Sequence, residues 1–162
     1  MQLPPTGLAA LAGLSGVHEI ERFHPRVLAN DLSRMVLGVS TDSVTTATYL
    51  DLTGTNVVIA MSDSGVDTTH PDLQGRVFID SLLSGVDTNG HGTFVAGIIA
   101  GDGTKSTTLT NVSGSVMPGT NGQFRGKAPD AKLLSMELES PDYYIKETAA
   151  RTNVLIENNS WT

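Results

Sequence analysis

Two residues of the chain have the types that acid–base chemistry requires. Asp63 ends an apolar run that starts at Val57, and His91 begins a second apolar run. In an Asp-His-Ser arrangement, the carboxylate fixes the imidazole tautomer while the other ring nitrogen takes the proton of the nucleophile. An isolated Asp and an isolated His occur in most proteins, and Asp63 could equally cap a turn. The pair becomes a catalytic hypothesis only if the surrounding sequence supports it.

The elements around these two residues predict an α/β fold with a parallel sheet. The strand before Asp63 is apolar throughout, as strands buried on both faces are, and its carboxyl end is where such sheets carry their sites. The segment after His91 is apolar almost all round, which favours a helix packed against the sheet. Strands and helices alternate to the end of the sequence, which predicts right-handed crossovers. The predicted strands are residues 56–62, 76–79 and 131–138 and a strand that begins at residues 154–156 and runs into residue 158. The predicted helices are short ones at residues 3–14 and from Asn30-Asp31 through Leu37, residues 92–100, and a segment with Ser140 as N-cap and Pro141 as N1.

Composition excludes several functional classes. The 162 residues carry a formal net charge of −7, with 10 basic against 17 acidic side chains, so a nucleic-acid partner is not expected. No apolar stretch is long enough to span a membrane, and the N-terminus lacks the features of a signal peptide. The absence of cysteine removes disulfides and thiolate metal sites.

Four segments together resemble the subtilisin-like serine proteases (subtilases, peptidase family S8). Residues 57–73, with Asp63-Ser64-Gly65, resemble the catalytic-aspartate segment, and residues 89–101, with His91-Gly92-Thr93, resemble the catalytic-histidine segment. Residues 126–133 are similar to the G-x-A-P-x-A segment before a central strand, and residues 158–161 are similar to the N-x-S-W strand of the substrate cleft. The order Asp then His also agrees with the order of the triad in subtilisin.

The resemblance implies a fold and an activity. The expected fold is the α/β three-layer sandwich of subtilisins, a central parallel sheet flanked by helices, incomplete at its C-terminal side. The expected activity is serine-type endopeptidase activity, with Asp63 and His91 as catalytic residues and a peptide or protein as substrate. No segment resembles the family's nucleophile, and Ser115 follows His91 too soon to be it. The serine and the oxyanion asparagine are therefore expected downstream of Thr162, and the chain alone is expected to be inactive.

The resemblance also carries further expectations. Ser160 and Trp161 should border the substrate cleft, and Asp72 matches an aspartate that can bind a structural calcium ion, although the chemistry itself requires no cofactor. Residues 1–30 are expected to be a propeptide remnant or N-terminal arm, with residues 17–23 as a strand, and residues 31–162 a partial peptidase domain. The missing C-terminal half is an expected partner, no membrane partner is expected, and the family suggests an extracellular or cell-envelope location.

Two alternatives stay open at this point. The chain could be a naturally truncated, non-catalytic module that keeps the cleft strand and binds peptides. The chain could also be a metal-dependent hydrolase built on His70 and His91, since histidine is a common metal ligand in proteins.

Overall fold

The structure is a computed structural model that describes residues 5–18, 20, 30–42, 44 and 50–161. Its centre is a four-stranded sheet in the order β2-β3-β1-β4, and every neighbouring pair is parallel. The strands are β1 (Val58–Asp63), β2 (Val77–Ile79), β3 (Lys132–Glu137) and β4 (Ile156–Asn159). The helices are α1 (Pro5–Ala12), α2 (Asn30–Val36), α3 (His91–Ala100) and α4 (Asp142–Arg151). The predicted α/β class and its parallel sheet are confirmed.

The two faces of the sheet are covered by different helices, which makes three layers. Alternate residues of a strand point to opposite faces, so β1 and β3 contribute to two separate cores. One core joins Ile59, Met61 and Leu133 to the α3 residues Val95, Ala96 and Ala100. The other joins Ala60, Leu134 and Met136 to Ile145 of α4. The central strands are therefore buried on both faces, as their apolar sequences predict.

The register of the sheet places the chemistry at its carboxyl edge. Asp63 is the last residue of β1 and pairs with Glu137, the last residue of β3. On its other side β1 pairs with β4, with Ser62 opposite Asn159. The segment after β4 therefore leaves the sheet beside Asp63.

The start of α4 differs from the prediction. Pro141, with ψ of 143°, occupies the N-cap position and Asp142 is the first helical residue, so Ser140 is not the cap. An N-cap residue has an extended ψ, and the fixed φ of proline is compatible with that position as well as with N1. The spacing of the sequence predicts that one face of this helix consists of Tyr144, Ile145, Thr148, Ala149 and Thr152. Of these side chains only Ile145 is buried.

The N-terminal predictions are only partly covered. A short helix is present at Pro5–Ala12. Residues 17, 18 and 20 are not in a strand, and the remainder of the predicted strand lies outside the described residues. The division into residues 1–30 and 31–162 stays a prediction. Among the helices that the structure describes, none is long and apolar enough to cross a membrane.

Candidate active site

Asp63 and His91 are in direct contact. The Nδ1 atom of His91 lies 2.8 Å from Oδ1 of Asp63, and the same oxygen accepts a 2.7 Å hydrogen bond from the amide of Ser64. The side chain of Asp63 is 4% exposed, whereas that of His91 is 48% exposed. A buried acceptor on Nδ1 selects the tautomer with the proton on that nitrogen and leaves Nε2 as a base.

The position of His91 at the first turn of α3 follows from the backbone before it. Gly90 has φ of 91°, a left-handed conformation that glycine adopts without steric cost, and it turns the chain into the helix. The imidazole of His91 therefore projects from the helix start rather than from its buried side. In the described part of the chain, Nε2 makes no hydrogen bond, so it is free to meet a further group.

Two glycines near the Asp63–His91 contact have backbone neighbours that leave no room for a side chain. A Cβ atom on Gly92 would lie 2.0 Å from the carbonyl oxygen of Gly65 and 3.2 Å from Oδ1 of Asp63. Gly65 has φ of 104°, and a Cβ atom there would lie 2.3 Å from the carbonyl oxygen of Val86. A larger residue at Gly92 would push the two segments apart, and one at Gly65 would displace the backbone at Val86.

Asp87 connects the same two segments through hydrogen bonds. Its Oδ1 accepts from Ser64 Oγ at 2.9 Å, from the Gly90 amide at 2.8 Å and from the Asn89 amide at 3.1 Å. Its Oδ2 accepts from the Thr93 amide at 2.8 Å. Burial alone would raise the pKa of Asp87, but the hydrogen bonds from Thr93, Gly90 and Ser64 outweigh it and lower the pKa to about 2.

Sequence reasoning missed this role of Asp87. The sequence predicts a turn at residues 87–90. Asp87 and Asn89 carry oxygen donors at alternating spacing, but the segment has too few ligands for a calcium loop. The available signal was an Asp just before a helix start, where a carboxylate can accept the unpaired amides of the first turn.

The carboxylate of Asp67 accepts hydrogen bonds from one residue of its own turn, Thr69. Hydrogen bonds from the hydroxyl and amide of Thr69 lower the pKa of the Asp67 carboxyl.

Ser160 and Trp161, the predicted cleft residues, lie beside the end of β1. The indole Nε1 of Trp161 donates a 2.9 Å hydrogen bond to the carbonyl of Ser62, the residue before Asp63. Oγ of Ser160 accepts a 2.8 Å hydrogen bond from the side chain of Asn158. Both residues therefore lie at the same edge of the sheet as Asp63, and their contact with substrate stays a prediction.

Asp72, the predicted calcium ligand, bonds to the loop that follows α3. Its Oδ1 accepts a 2.9 Å hydrogen bond from the amide of Lys105, and it lines a cavity of about 440 Å³ together with Asp67, His70 and Asp87. The described residues contain no group of three or more His, Asp or Glu side chains arranged to hold a metal ion. Calcium binding at Asp72 stays a prediction.

Comparison with known proteins decides the family. Residues 54–162 match the model of the subtilase family, Peptidase S8. The chain belongs to the subtilase family. This confirms the resemblance drawn from the four segments.

Individual subtilases are similar to part of the chain. Fervidolysin of Fervidobacterium pennivorans is 39% identical over 85 residues, which are 46% of this chain and 12% of fervidolysin. The major intracellular serine protease of Bacillus subtilis is 35% identical over 96 residues, which are 52% of this chain and 24% of that protein. The crystal structure of MycP1 with its N-terminal propeptide removed is 25% identical, with a TM-score of 0.46, over 83% of this chain and 37% of MycP1. The chain thus spans between about an eighth and two fifths of these relatives.

Proposed function

We propose that this chain supplies the aspartate and histidine of an Asp-His-Ser triad in a subtilisin-like serine endopeptidase. The observation that supports this most directly is the 2.8 Å contact between Asp63 Oδ1 and His91 Nδ1 in a chain of the subtilase family. Peptides or proteins are the proposed substrates, and peptide-bond hydrolysis is the proposed reaction.

In the proposed mechanism the buried Asp63 stays ionised throughout. It holds the Nδ1 proton of His91, so that Nε2 accepts the proton of a serine hydroxyl as that oxygen attacks the scissile carbonyl. The resulting imidazolium is stabilised by the adjacent carboxylate and then gives its proton to the leaving amine. The serine and the oxyanion donors are proposed to come from polypeptide outside residues 1–162.

The cleft edge is proposed to hold the substrate. Ser160 and Trp161 follow a parallel strand next to Asp63, and an extended peptide could add there through backbone hydrogen bonds. The proposed chemistry uses no cofactor, and a structural calcium ion at Asp72 is a separate proposal. The extracellular or cell-envelope location also stays a proposal, since one relative is named an intracellular protease.

Hydrolysis of a fluorogenic peptide by the gene product that contains residues 1–162 tests the function. In subtilisin, loss of the histidine lowers kcat by about 10⁶-fold and loss of the aspartate by about 3 × 10⁴-fold. We expect losses of that order for His91→Ala and Asp63→Asn, with Asp67→Asn as the control that keeps full activity. The 162-residue chain alone should show no turnover. Full activity of the His91→Ala variant would overturn the assignment.

A peptide-binding role without catalysis is the second candidate, favoured by the position of Trp161. It is the single tryptophan of the chain, it is partly exposed, and it lies at the proposed cleft. Its fluorescence should therefore change saturably when extended peptides are titrated into the 162-residue chain. This second role is supported if the gene product that contains residues 1–162 shows no turnover and the His91→Ala variant still binds the peptide.

A further inference from the structure

The turn that holds Asp63 and the helix that starts with His91 are joined by more than the catalytic contact. We call the contacts between residues 63–67 and residues 87–93 the junction, and Ser64 takes part in two of its hydrogen bonds. Its Oγ donates to Asp87 Oδ1 at 2.9 Å and accepts from the Gly92 amide at 3.0 Å. Ser64 follows Asp63 directly, and Gly92 follows His91 directly. The hydroxyl therefore links the neighbours of the two catalytic candidates.

Asp87 fixes the other side of this junction. Its two carboxylate oxygens accept the amides of Asn89, Gly90 and Thr93, which lie on both sides of His91. The N-cap residue Gly90 has no side chain, so Asp87 provides the acceptor that a capping side chain would otherwise supply. The direction in which α3 presents its first residue thus depends on Asp87.

A further hydrogen bond closes the junction. The amide of Asp67, in the chain that leads away from the aspartate turn, donates to Oγ1 of Thr93 at 2.9 Å. Thr93 is in turn bonded through its amide to Asp87. The aspartate turn and the first turn of α3 are therefore held together at Ser64, at Thr93 and at Asp87.

We propose that Asp87, acting through Ser64, is a positioning residue that keeps the imidazole of His91 in the orientation that donates its Nδ1 proton to Asp63. This inference rests on the proposed function, which gives that orientation its purpose. Asp87 itself contacts neither His91 side-chain atoms nor the reacting groups. Neutralising it would loosen the start of α3, so that the imidazole samples other orientations and both neutral tautomers.

The test measures His91 directly in the 162-residue chain. The chain is labelled with ¹⁵N-histidine, and the resonances of His91 are identified by their loss in a His91→Gln variant. The readouts are the share of the Nδ1-protonated tautomer and the exchange of that proton with water. A general loss of stability would not by itself change the tautomer of a folded molecule, and folding is followed by circular dichroism.

We expect the wild-type chain to hold one tautomer with a slowly exchanging Nδ1 proton. In Asp87→Asn that proton should exchange about tenfold faster, the factor that corresponds to about one lost hydrogen bond, and the tautomers should mix. Asp67→Asn is the matched control, because it removes the same charge from a carboxylate that bonds only to its own turn at Thr69. It should leave the His91 signals unchanged.

Ser64 variants keep the proposal testable if Asp87→Asn does not fold. Ser64→Ala removes the linking hydroxyl and should reproduce the faster exchange, whereas Ser64→Thr keeps a hydroxyl and should restore the wild-type signal. Folded Asp87→Asn and Ser64→Ala chains with wild-type His91 signals would overturn the proposal. If Asp63→Asn also leaves His91 unchanged, the proposed function fails. If Asp63→Asn abolishes the signal while the other variants do not, only the positioning role fails.

Discussion

At the scale of single residues, the contact between Asp63 and His91 requires that position 92 has no side chain. The helix start can approach the carbonyl of Gly65 only because Gly92 has no Cβ atom. Gly97 belongs to the same helix, yet a Cβ atom there would meet nothing within 4 Å. Two glycines of one helix are therefore expected to respond to alanine in opposite ways.

We predict that Gly92→Ala destabilises the chain and Gly97→Ala stabilises it. The Cβ atom at Gly92 must displace backbone, for which overpacking costs of about 1–3 kcal/mol are typical. Alanine is favoured over glycine inside a helix by about 0.5–1 kcal/mol, which sets the expected gain at Gly97. Urea unfolding of both variants gives the two free energies. A neutral Gly92→Ala variant would show that the two segments can separate without cost.

The second residue-scale prediction concerns acid stability. The pKa of Asp87 is about 2 in the folded chain against 3.8 as the reference value. Its contribution to stability is thus complete above pH 3.8 and is lost as the pH falls through about 2. At 1.36 kcal/mol per pKa unit, the contribution is at most about 2 kcal/mol, and solvent screening reduces it.

The Asp87→Asn variant tests this acid dependence. Its unfolding free energy should fall less than that of the wild type between pH 5 and pH 2, because Asn cannot take up the proton. Asp67→Asn is the comparison, since Asp67 also has a lowered pKa but its carboxylate bonds only to Thr69 and takes no part in the junction. Equal acid sensitivity of the Asp87→Asn variant and the wild type would contradict the assigned pKa shift.

At the scale of elements, the sequence predicts the pieces with strong patterns and misses those decided by single hydrogen bonds. The continuous apolar runs identify β1, β3 and α3 to within about two residues. An element that is buried on all sides needs apolar residues along its whole length, so its ends are visible where the apolar run ends. The start of α4 is misplaced by one position, since proline suits both N-cap and N1. The role of Asp87 is missed because the donors to its carboxylate, such as Ser64 Oγ and the Thr93 amide, come together only when the chain is folded.

We predict that α4 is held to the sheet mainly by Ile145. This side chain is the buried member of α4 and packs with Ala60, Leu134 and Met136. Ile145→Ala should cost about 2–5 kcal/mol, as for other buried Ile truncations. Tyr143→Ala is the control on the same helix, because Tyr143 is mostly exposed and should change stability by about 0.5 kcal/mol or less. Comparable losses for the two variants would contradict this packing.

At the scale of the whole molecule, the described sheet has an edge strand with apolar exposure. Strand β4 pairs with β1 on one side, and in the described residues its other side has no strand neighbour. Leu155 and Ile156 at its start are exposed. The sequence predicts apolar exposure around residues 94–100 and 154–156. Phe94 is exposed as well, but Val95, Ala96 and Ala100 of α3 are buried against the sheet. Exposed edge backbone beside apolar side chains is a template for pairing with another chain.

We therefore predict that the 162-residue chain self-associates through β4. Ile156, which is 54% exposed, should contribute apolar contact to that association, and Ile156→Lys should oppose it by placing charge on the edge. Leu82→Lys is the control, because Leu82 is 85% exposed and lies beyond β2, at the other edge of the sheet. Light scattering during size-exclusion chromatography, at several concentrations, should give a monomer for Ile156→Lys and larger species for the wild type and Leu82→Lys. A monomeric wild type at every concentration would show that this edge does not pair, and equal effects of the two lysines would point to net charge rather than to β4.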